Sequence, residues 1–514
     1  MDFNKKYIIV DRYKDNVAIS KDYLKKKQPI RSDNKTTVIP NQSISKGQRF
    51  AIRPIPQGEY VIQYGYPFGI SNGIAAGDLI DSKNIDVIKT DLNFKPVSNP
   101  LNTNYISDYV SKTFQGYKRE NDRVGTRNYI LIVPTSQCAS HLTLQLANKS
   151  LENFSLAKNF SNVDGVVSIP NTEGCGCASN FQIDRFLRVL KNYINHPNIG
   201  WALIIDLGCE QTNYEVIHSY LKDHKNSTPT DWLTIQKEGG TRKTIEKGMN
   251  IIAHRLKEVN RIQRTTCPIE HLIVGTECGA SDTFSGITAN TVIGNTVDKV
   301  IYGKGSAILS EIPEMSGAEY ILMNRMRNLK VVSKFKKMIK WYHELAKKLD
   351  VDIADNLVSE NKAGGLINLC IKSLGAIIKG GSTTIEDILE YGEQVSKKGL
   401  HIMQGPGNDI ESVTGIVAAG ATIICFSTGK GTITGNAIAP TVKISSTSEL
   451  YYKLPDDIDF DGGKVLEMEK TYPLDDLGND LLDLLISVAS GQKTKSEINN
   501  QRQFQVWTAG KLSL

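Results

Sequence analysis

The stretch HLIVGTECGASDTFSGITANTVIG, His271 to Gly294, decides the fold. Leu272 to Val274 is an apolar run that breaks at Gly275 into a turn holding Glu277, Cys278, Ser281, Asp282 and Thr283. This is the pattern of a buried strand entering a loop. Two other runs break in the same way. WALIIDLGCE (201–210) ends on Cys209 and Glu210, and the run from Val163 to Pro170 opens into NTEGCGC (171–177), with Glu173 and Cys175. Three strand ends, each carrying a Glu and a Cys beside a Gly, predict one composite pocket at the carboxyl edge of parallel strands. An α/β enzyme is expected.

At 514 residues the chain exceeds what one core organises, so several domains are expected. Its 40% hydrophobic and 23% charged residues are those of an ordinary globular protein. No apolar run approaches the roughly 20 residues of a membrane helix, and charges interrupt MDFNKKYIIVDRYKDN, so neither membrane span nor signal peptide is expected. A cytoplasmic location follows. The net charge of +6 balances 61 basic against 55 acidic residues, too even for a nucleic-acid binder but suited to a small anionic substrate. In a reducing compartment the eight cysteines need not pair, and their places after strands favour thiolate or metal-ligand roles.

Four segments are expected. Residues 1–95 alternate short strands with glycine turns and read as a small β-rich domain. Residues 96–114 are polar with two prolines, a linker. Residues 115–262 alternate strands and helices, as does 263–514, the mark of α/β domains with mostly parallel sheets. Residues 319–350 read as amphipathic helices, and the tail from Gln501 to Leu514 as an edge strand.

Several phrases, in order, resemble the altronate/galactarate dehydratase family: GYKRENDRVGTRNYI (116–130), NVDGVV (162–167), GCG (174–176), LGCE (207–210), GTECGASDTFSGITAN (275–290), STGKGT (427–432) and VASGQKTKSEIN (488–499). The resemblance spans nearly the whole chain and implies a SAF-like fold for the first domain. It departs from the family at KGQRFAI (46–52), where Gln48 stands in place of a typical histidine. Ile80-Asp81 is similar to the galactarate type, whereas FQVWTAGKLSL (504–514) is closer to the altronate type. The resemblance implies dehydration of a hexarate or hexonate to a 2-keto-3-deoxy acid, with iron(II) or a similar divalent metal, manganese and magnesium being alternatives. A homodimer is the expected assembly, with no nucleic-acid or membrane partner.

That chemistry needs a cation on the carboxylate and enediolate, a base, and an acid for the leaving hydroxide. Cys175, Cys209 and Cys278 with Glu173, Glu210 and Glu277 are the candidate metal ligands, since thiolates take softer and carboxylates harder ions. Each cysteine could equally be a small buried residue at a crowded turn. Cys138 could join them, while Cys267, Cys370 and Cys425 read as core. Arg123, Arg127 and Asn128, with Thr126, could grip a carboxylate or shape a turn before a strand. Ser281, Thr288 and Asn290 are candidates for substrate hydroxyls, or for helix capping, and Thr428 with Gly429, Lys430 and Gly431 resembles a glycine-rich anion cradle without the spacing of a phosphate loop. Asp282, His141 and Lys430 are the candidate acid–base groups; His401 reads as core. A sulfolactate-type sulfo-lyase and a non-catalytic sugar-acid sensor are the competing readings.

Overall fold

The computed structural model describes residues 2–3, 6–31, 37–88, 94–95, 104–176, 181–222, 228–467 and 474–508. Cys177, residues 96–103 of the expected linker and the tail beyond 508 lie outside them. The first domain is β-rich, as expected. Its five-stranded antiparallel sheet runs Asp2–Phe3, Tyr7–Ile9, Val17–Ser20, Arg49–Ala51, Leu79–Ile80, and a three-stranded sheet is built on the hairpin of Tyr60–Gln63 with Tyr66–Ser71. Part of the expected linker is ordered structure instead: Ser107–Val110 is a helical turn, and Thr113–Lys118 pairs antiparallel with Thr265–Pro268.

Two parallel sheets follow. The smaller has four strands in the order Gly165–Ser168, Tyr129–Pro134, Ile199–Asp206, Thr230–Thr234. Every residue of YILIVP (129–134) is buried, as a parallel strand covered on both faces requires. The larger sheet has seven strands, ordered Ile385–Leu389, Gly399–Met403, Ser306–Leu309, Ile273–Gly279, Ile423–Thr428, Thr441–Ser445, Phe460–Asp461. Its chain order reverses between the 273–279 and 423–428 strands, the switch point where open α/β sheets place ligands. Helices Phe181–Ile194 and Asp409–Ala418 pack on each other and join the two sheets through one apolar core. The tail is not an edge strand among the described residues: Trp507 instead packs edge-on against Trp341 and Tyr391, with Arg185 over its face.

The first domain is seated on the third by Arg49. Its guanidinium, 1% exposed, donates to Gln63 Oε1 at 2.7 Å, to Thr283 Oγ1 at 3.2 Å and to the Gly365 carbonyl. Ile8 and Ile19 pack with Phe284 and Ile287 around the same seam.

Arg127 ties the second unit to the chain's last helices. It makes a two-pronged ion pair with Glu497, at 2.6 and 2.8 Å, and spends its other donors on the carbonyls of Thr126, Val488 and Gln492. Removing one partner strands a buried charge, which costs about 3–5 kcal/mol. Arg127→Ala is therefore expected to lower the denaturation midpoint sharply in urea melts, whereas Arg188→Ala, whose partner Glu390 is exposed, leaves it nearly unchanged.

Candidate active site

The strand 273–279 runs from the core to its carboxyl end, where Glu277 and Cys278 are fully enclosed. On the neighbouring strand's exit, Glu311 takes a left-handed backbone conformation, φ 67°, and begins the short turn Ile312–Met315 that carries Glu314. The helix Leu369–Ile377 and the turn after it bring Lys372 and Lys379 in from the opposite side. Lys379 Nζ lies 2.9 Å from Cys278 Sγ and 2.6 Å from Glu311 Oε2. The Cys278 thiol faces Glu314 Oε2 at 3.1 Å, and Lys372 Nζ pairs with Glu314 Oε1 at 2.9 Å. Asn356 holds Lys372 through its carbonyl and side-chain oxygens. Glu277 Oε2 accepts from Ser412 Oγ at 2.7 Å, and its carboxyl also shares a hydrogen bond with Glu311.

Close packing leaves little freedom here. A Cβ on Gly279 would sit 2.5 Å from Asp409 Oδ2, and one on Gly405 would sit 2.0 Å from Ser310 Oγ. Glycine at both positions lets polar side chains meet beneath the strand ends.

Burial and neighbouring charge set the protonation states. Desolvation, with Glu311 and Glu314 adding to it, pushes the Cys278 thiol well up, so it stays protonated. Burial also drives Glu277 well up, reinforced by Glu311 and Asp409, so it is a neutral acid. Desolvation raises Glu311 to about 7, with Lys379 opposing. Burial alone would lower Lys379, but the charges of Glu311 and Glu314 hold it well above its ordinary range as an ammonium. Glu314 ends below its usual value: burial raises it, and Lys372 and Lys379 overcome that. A neutral acid, a carboxyl poised near neutrality and two fixed ammoniums thus share one interior. That is an acid–base set.

Cys278, Glu311 and Glu314 also place three ligand atoms within 4.8 Å of one another. A thiol with two carboxylates is a donor set that divalent ions accept. In this arrangement, however, Lys379 stands among them and Lys372 neutralises Glu314, so the donors already hold cations. The set fits a divalent ion poorly while both lysines remain.

The expected composite pocket is two clusters. Cys278 and Glu277 belong to the seven-stranded sheet, whereas Cys175, Cys209, Glu173 and Glu210 lie at the end of the four-stranded one. Glu210 is not a free ligand: its oxygens accept from Thr135 and Ser136 hydroxyls and from the amides of Leu207, Gly208 and Cys209. The Glu173 carboxylate accepts from Thr172. Arg127 has all five N–H donors engaged within the chain and has none for a substrate. Arg123 donates to the Asn195 carbonyl, and Asn128 bonds the carbonyls of Asn162 and Val259, so this group shapes the turn.

The remaining candidates divide. Asp282 accepts from Ser285 and Ser446, and burial raises it. With Ser281, Tyr64 and Lys372 it lines a small void of about 10 Å³ against the ion cluster. Thr288 donates into the carbonyls of Phe284 and Ser446, and Asn290 spans Gly375 and Ser427, both as scaffold. Thr428 holds its own turn by accepting from Gly431. Lys430 is exposed, and His141 is exposed on the helix 137–154 beside Gln145. Glu311, Glu314, Lys372, Lys379 and Asp409 were not among the candidates. Their signals are modest: EIPE (311–314) and GPGND (405–409) each follow a strand, and Lys379 sits alone in the apolar GAIIKGG.

Three family descriptions match the chain in order. These are the altronate/galactarate dehydratase SAF domain over residues 5–87, the D-galactarate dehydratase/altronate hydrolase second domain over 116–260, and the D-galactarate/altronate dehydratase C-terminal domain over 269–512. The chain belongs to the altronate/galactarate dehydratase family. It is 33% identical over 501 residues to an altronate dehydratase of Escherichia coli K12, covering 96% of this chain and 98% of the relative. It is 33% identical to an altronate dehydratase of Bacillus subtilis 168, covering 91% and 92%, and 30% identical to the galactarate dehydratase (L-threo-forming) of E. coli K12, covering 88% and 87%. As a member of this dehydratase family it is a hydro-lyase. Among its described residues no helix is long and apolar enough to cross a membrane.

Asp409, at the head of its helix, is raised to about 6 by burial, with Glu314 adding to the effect and Lys372 opposing it. The folded chain therefore holds this proton where the unfolded one has released it, and Asp409's contribution to stability falls as pH rises from about 4 to about 6. Asp409→Asn removes that loss. In denaturant titrations, the variant's stability relative to the parent is expected to climb across that window and to level off above it.

Proposed function

We propose that this hydro-lyase dehydrates a hexonate or hexarate of the altronate or galactarate kind, with the buried cluster of Cys278, Glu311, Glu314, Lys372 and Lys379 as its reaction centre. The observation that supports this reading is Lys379 held as an ammonium against Glu311 at the switch point of a parallel sheet. Dehydration removes the proton beside the substrate carboxylate and expels the neighbouring hydroxyl, and the enol becomes a 2-keto-3-deoxy acid. Glu311, near neutrality, takes the proton. Lys379 and Lys372 face the carboxylate as it gains enediolate charge. Glu277, a neutral acid beside Glu311, returns a proton to the departing hydroxide.

The cluster is closed. A void of about 10 Å³ cannot hold a six-carbon acid, so entry requires the walls at 281–286 and 366–376 to part. Arg49 of the first domain bonds both Thr283 and Gly365, so that domain latches the closed form.

Galactarate, altronate and sulfolactate offered side by side, anaerobically and with iron(II), manganese(II) or magnesium(II), test the reading through release of a 2-keto-3-deoxy acid. Turnover of a sugar acid is expected, with Glu311→Gln cutting kcat by about 10²-fold or more. The rate on the favoured acid should rise with pH through an inflection near 7 as Glu311 ionises. Sulfite release from sulfolactate alone would assign the chain to the sulfo-lyases, and ligand binding without turnover would make it a sensor.

A further inference from the structure

A hairpin tip of the first domain sets one aromatic ring between an open cavity and the buried cluster. The turn joining Tyr60–Gln63 to Tyr66–Ser71 has two residues, Tyr64 and Gly65, with φ of 60° and 76°. A type I′ turn demands positive φ at both positions, and Asn-Gly is the pair that meets the demand at least cost. A tyrosine at the first position is strained. Asp15 pins it there, its carboxylate accepting from Tyr64 N at 3.3 Å and Gly65 N at 2.8 Å. The turn itself gains nothing from the ring, so what the ring touches must account for it.

The Tyr64 hydroxyl stands at the joint between the loop after the 273–279 strand and the helix 369–377. A Cβ on Gly286 would lie 2.6 Å from that hydroxyl and 2.7 Å from Gly375 Cα, and one on Gly375 would lie 3.2 Å from Gly286 Cα. Two glycines let the segments meet, and the phenol covers the place where they do. Burial pushes the phenol up to about 12, so it stays neutral. To one side is the void of about 10 Å³ that Asp282 and Lys372 line. To the other is a cavity of about 620 Å³ between the first and third domains. Tyr64 is common to both linings.

The larger cavity has the size of a small-molecule site, roughly 300–1,000 Å³. Tyr13, 79% exposed, stands at its mouth, and Arg12 stacks on that ring at 4.7 Å, where an incoming carboxylate meets its charge. Two carboxylates share the lining but are tied into their own loops. Asp11 accepts from the Tyr13 and Lys14 amides, and Asp298 from Ser382 and the Thr383 amide. The inner wall includes Ile377, Ile378, Gly381 and Ser382, the residues on either side of Lys379. The turn that carries this ammonium therefore has the cavity behind it and the cluster in front.

The geometry points to this cavity as the chamber that receives the anionic sugar acid, and to Tyr64 as the gate between it and the cluster. The assignment rests on the reading of that cluster as the reaction centre. When the ring swings aside, the Gly286–Gly375 joint is uncovered and the two walls of the void can part. The strained tip favours such a movement, because leaving the closed turn relieves its backbone.

The test reads access to Cys278, the buried thiol of the cluster. Its alkylation is followed by peptide mapping of the full chain, with iodoacetamide as a neutral probe and iodoacetate as an anionic one. Tyr64→Asn gives the tip the pair its turn prefers, so the urea midpoint should hold or rise although the ring is gone. Cys278 alkylation should then run about tenfold faster or more, about 1.4 kcal/mol of barrier, while Cys425 in the core stays unreactive. Ser382→Trp, filling the cavity from an exposed position, should slow Cys278 alkylation and lower kcat/KM on the favoured sugar acid, each by about tenfold. Arg188→Trp, in a separate cavity of about 920 Å³, should change neither. Parent-like Cys278 rates in both Tyr64→Asn and Ser382→Trp, or slowing in Arg188→Trp, would overturn the assignment. So would Cys425 reacting faster together with Cys278 in Tyr64→Asn, since the ring would then hold the fold and not a passage. The first readout is alkylation and not turnover, so its failure leaves the reaction centre standing; normal kinetics in Glu311→Gln would remove that centre and leave the passage measured.

Discussion

Lys379 cannot lie 1% exposed without anions against it, and the architecture around the strand ends answers that demand. Glu311 reaches it only by adopting a left-handed backbone, a conformation that costs a non-glycine residue about 1–3 kcal/mol. The ion pair and the ordered turn 312–315 hold it there. Cys278 supplies a third contact without adding charge, since its thiol stays protonated. Glu314 then needs its own cation, which is Lys372, and Lys372 in turn needs Asn356. Each partner is fixed by the next, so the geometry is set before any substrate arrives, which is what electrostatic catalysis requires.

The same logic separates the two sulfur sites. Cys278 is surrounded by ammoniums and carboxylates that satisfy one another, so it belongs to an acid–base interior. Cys138, Cys175 and Cys209 are exposed at the end of the four-stranded sheet, where the Glu210 carboxylate is filled by its own loop. One family of motifs, a Gly and a Cys after a strand, therefore builds two chemically different places. The first domain meets this region through Arg49, which joins the loop after the 273–279 strand to the approach of the helix 369–377.

The fold was legible where periodicity is strong. YILIVP, WALII and LIV are apolar runs of the kind that fill buried parallel strands, the last breaking at Gly275. The hairpins of the first domain followed from alternation in the same way. The site was legible only in part. Glu277 and Cys278 were evident from their place after a strand, but nothing local says that Lys379, a hundred residues later, will be turned inward against them. Helical spacing predicts which face is apolar, and Lys379 lies at a helix end where that face is ill-defined. Arg127 misled for the opposite reason: an arginine before a strand looks ready for an anion, and only the tertiary structure reveals Glu497 filling its fork. Pairings between distant segments are invisible in composition and spacing, and both errors are of that kind.

The central claim, that Glu311 removes the proton beside the carboxylate, is tested most directly by a sugar acid carrying deuterium at that carbon. The wild-type chain should release deuterium to water as it forms product and turn over more slowly than with the protiated acid, while Glu311→Gln should release it about 10²-fold more slowly or less. Deuterium released by Glu311→Gln at the wild-type rate would contradict the account.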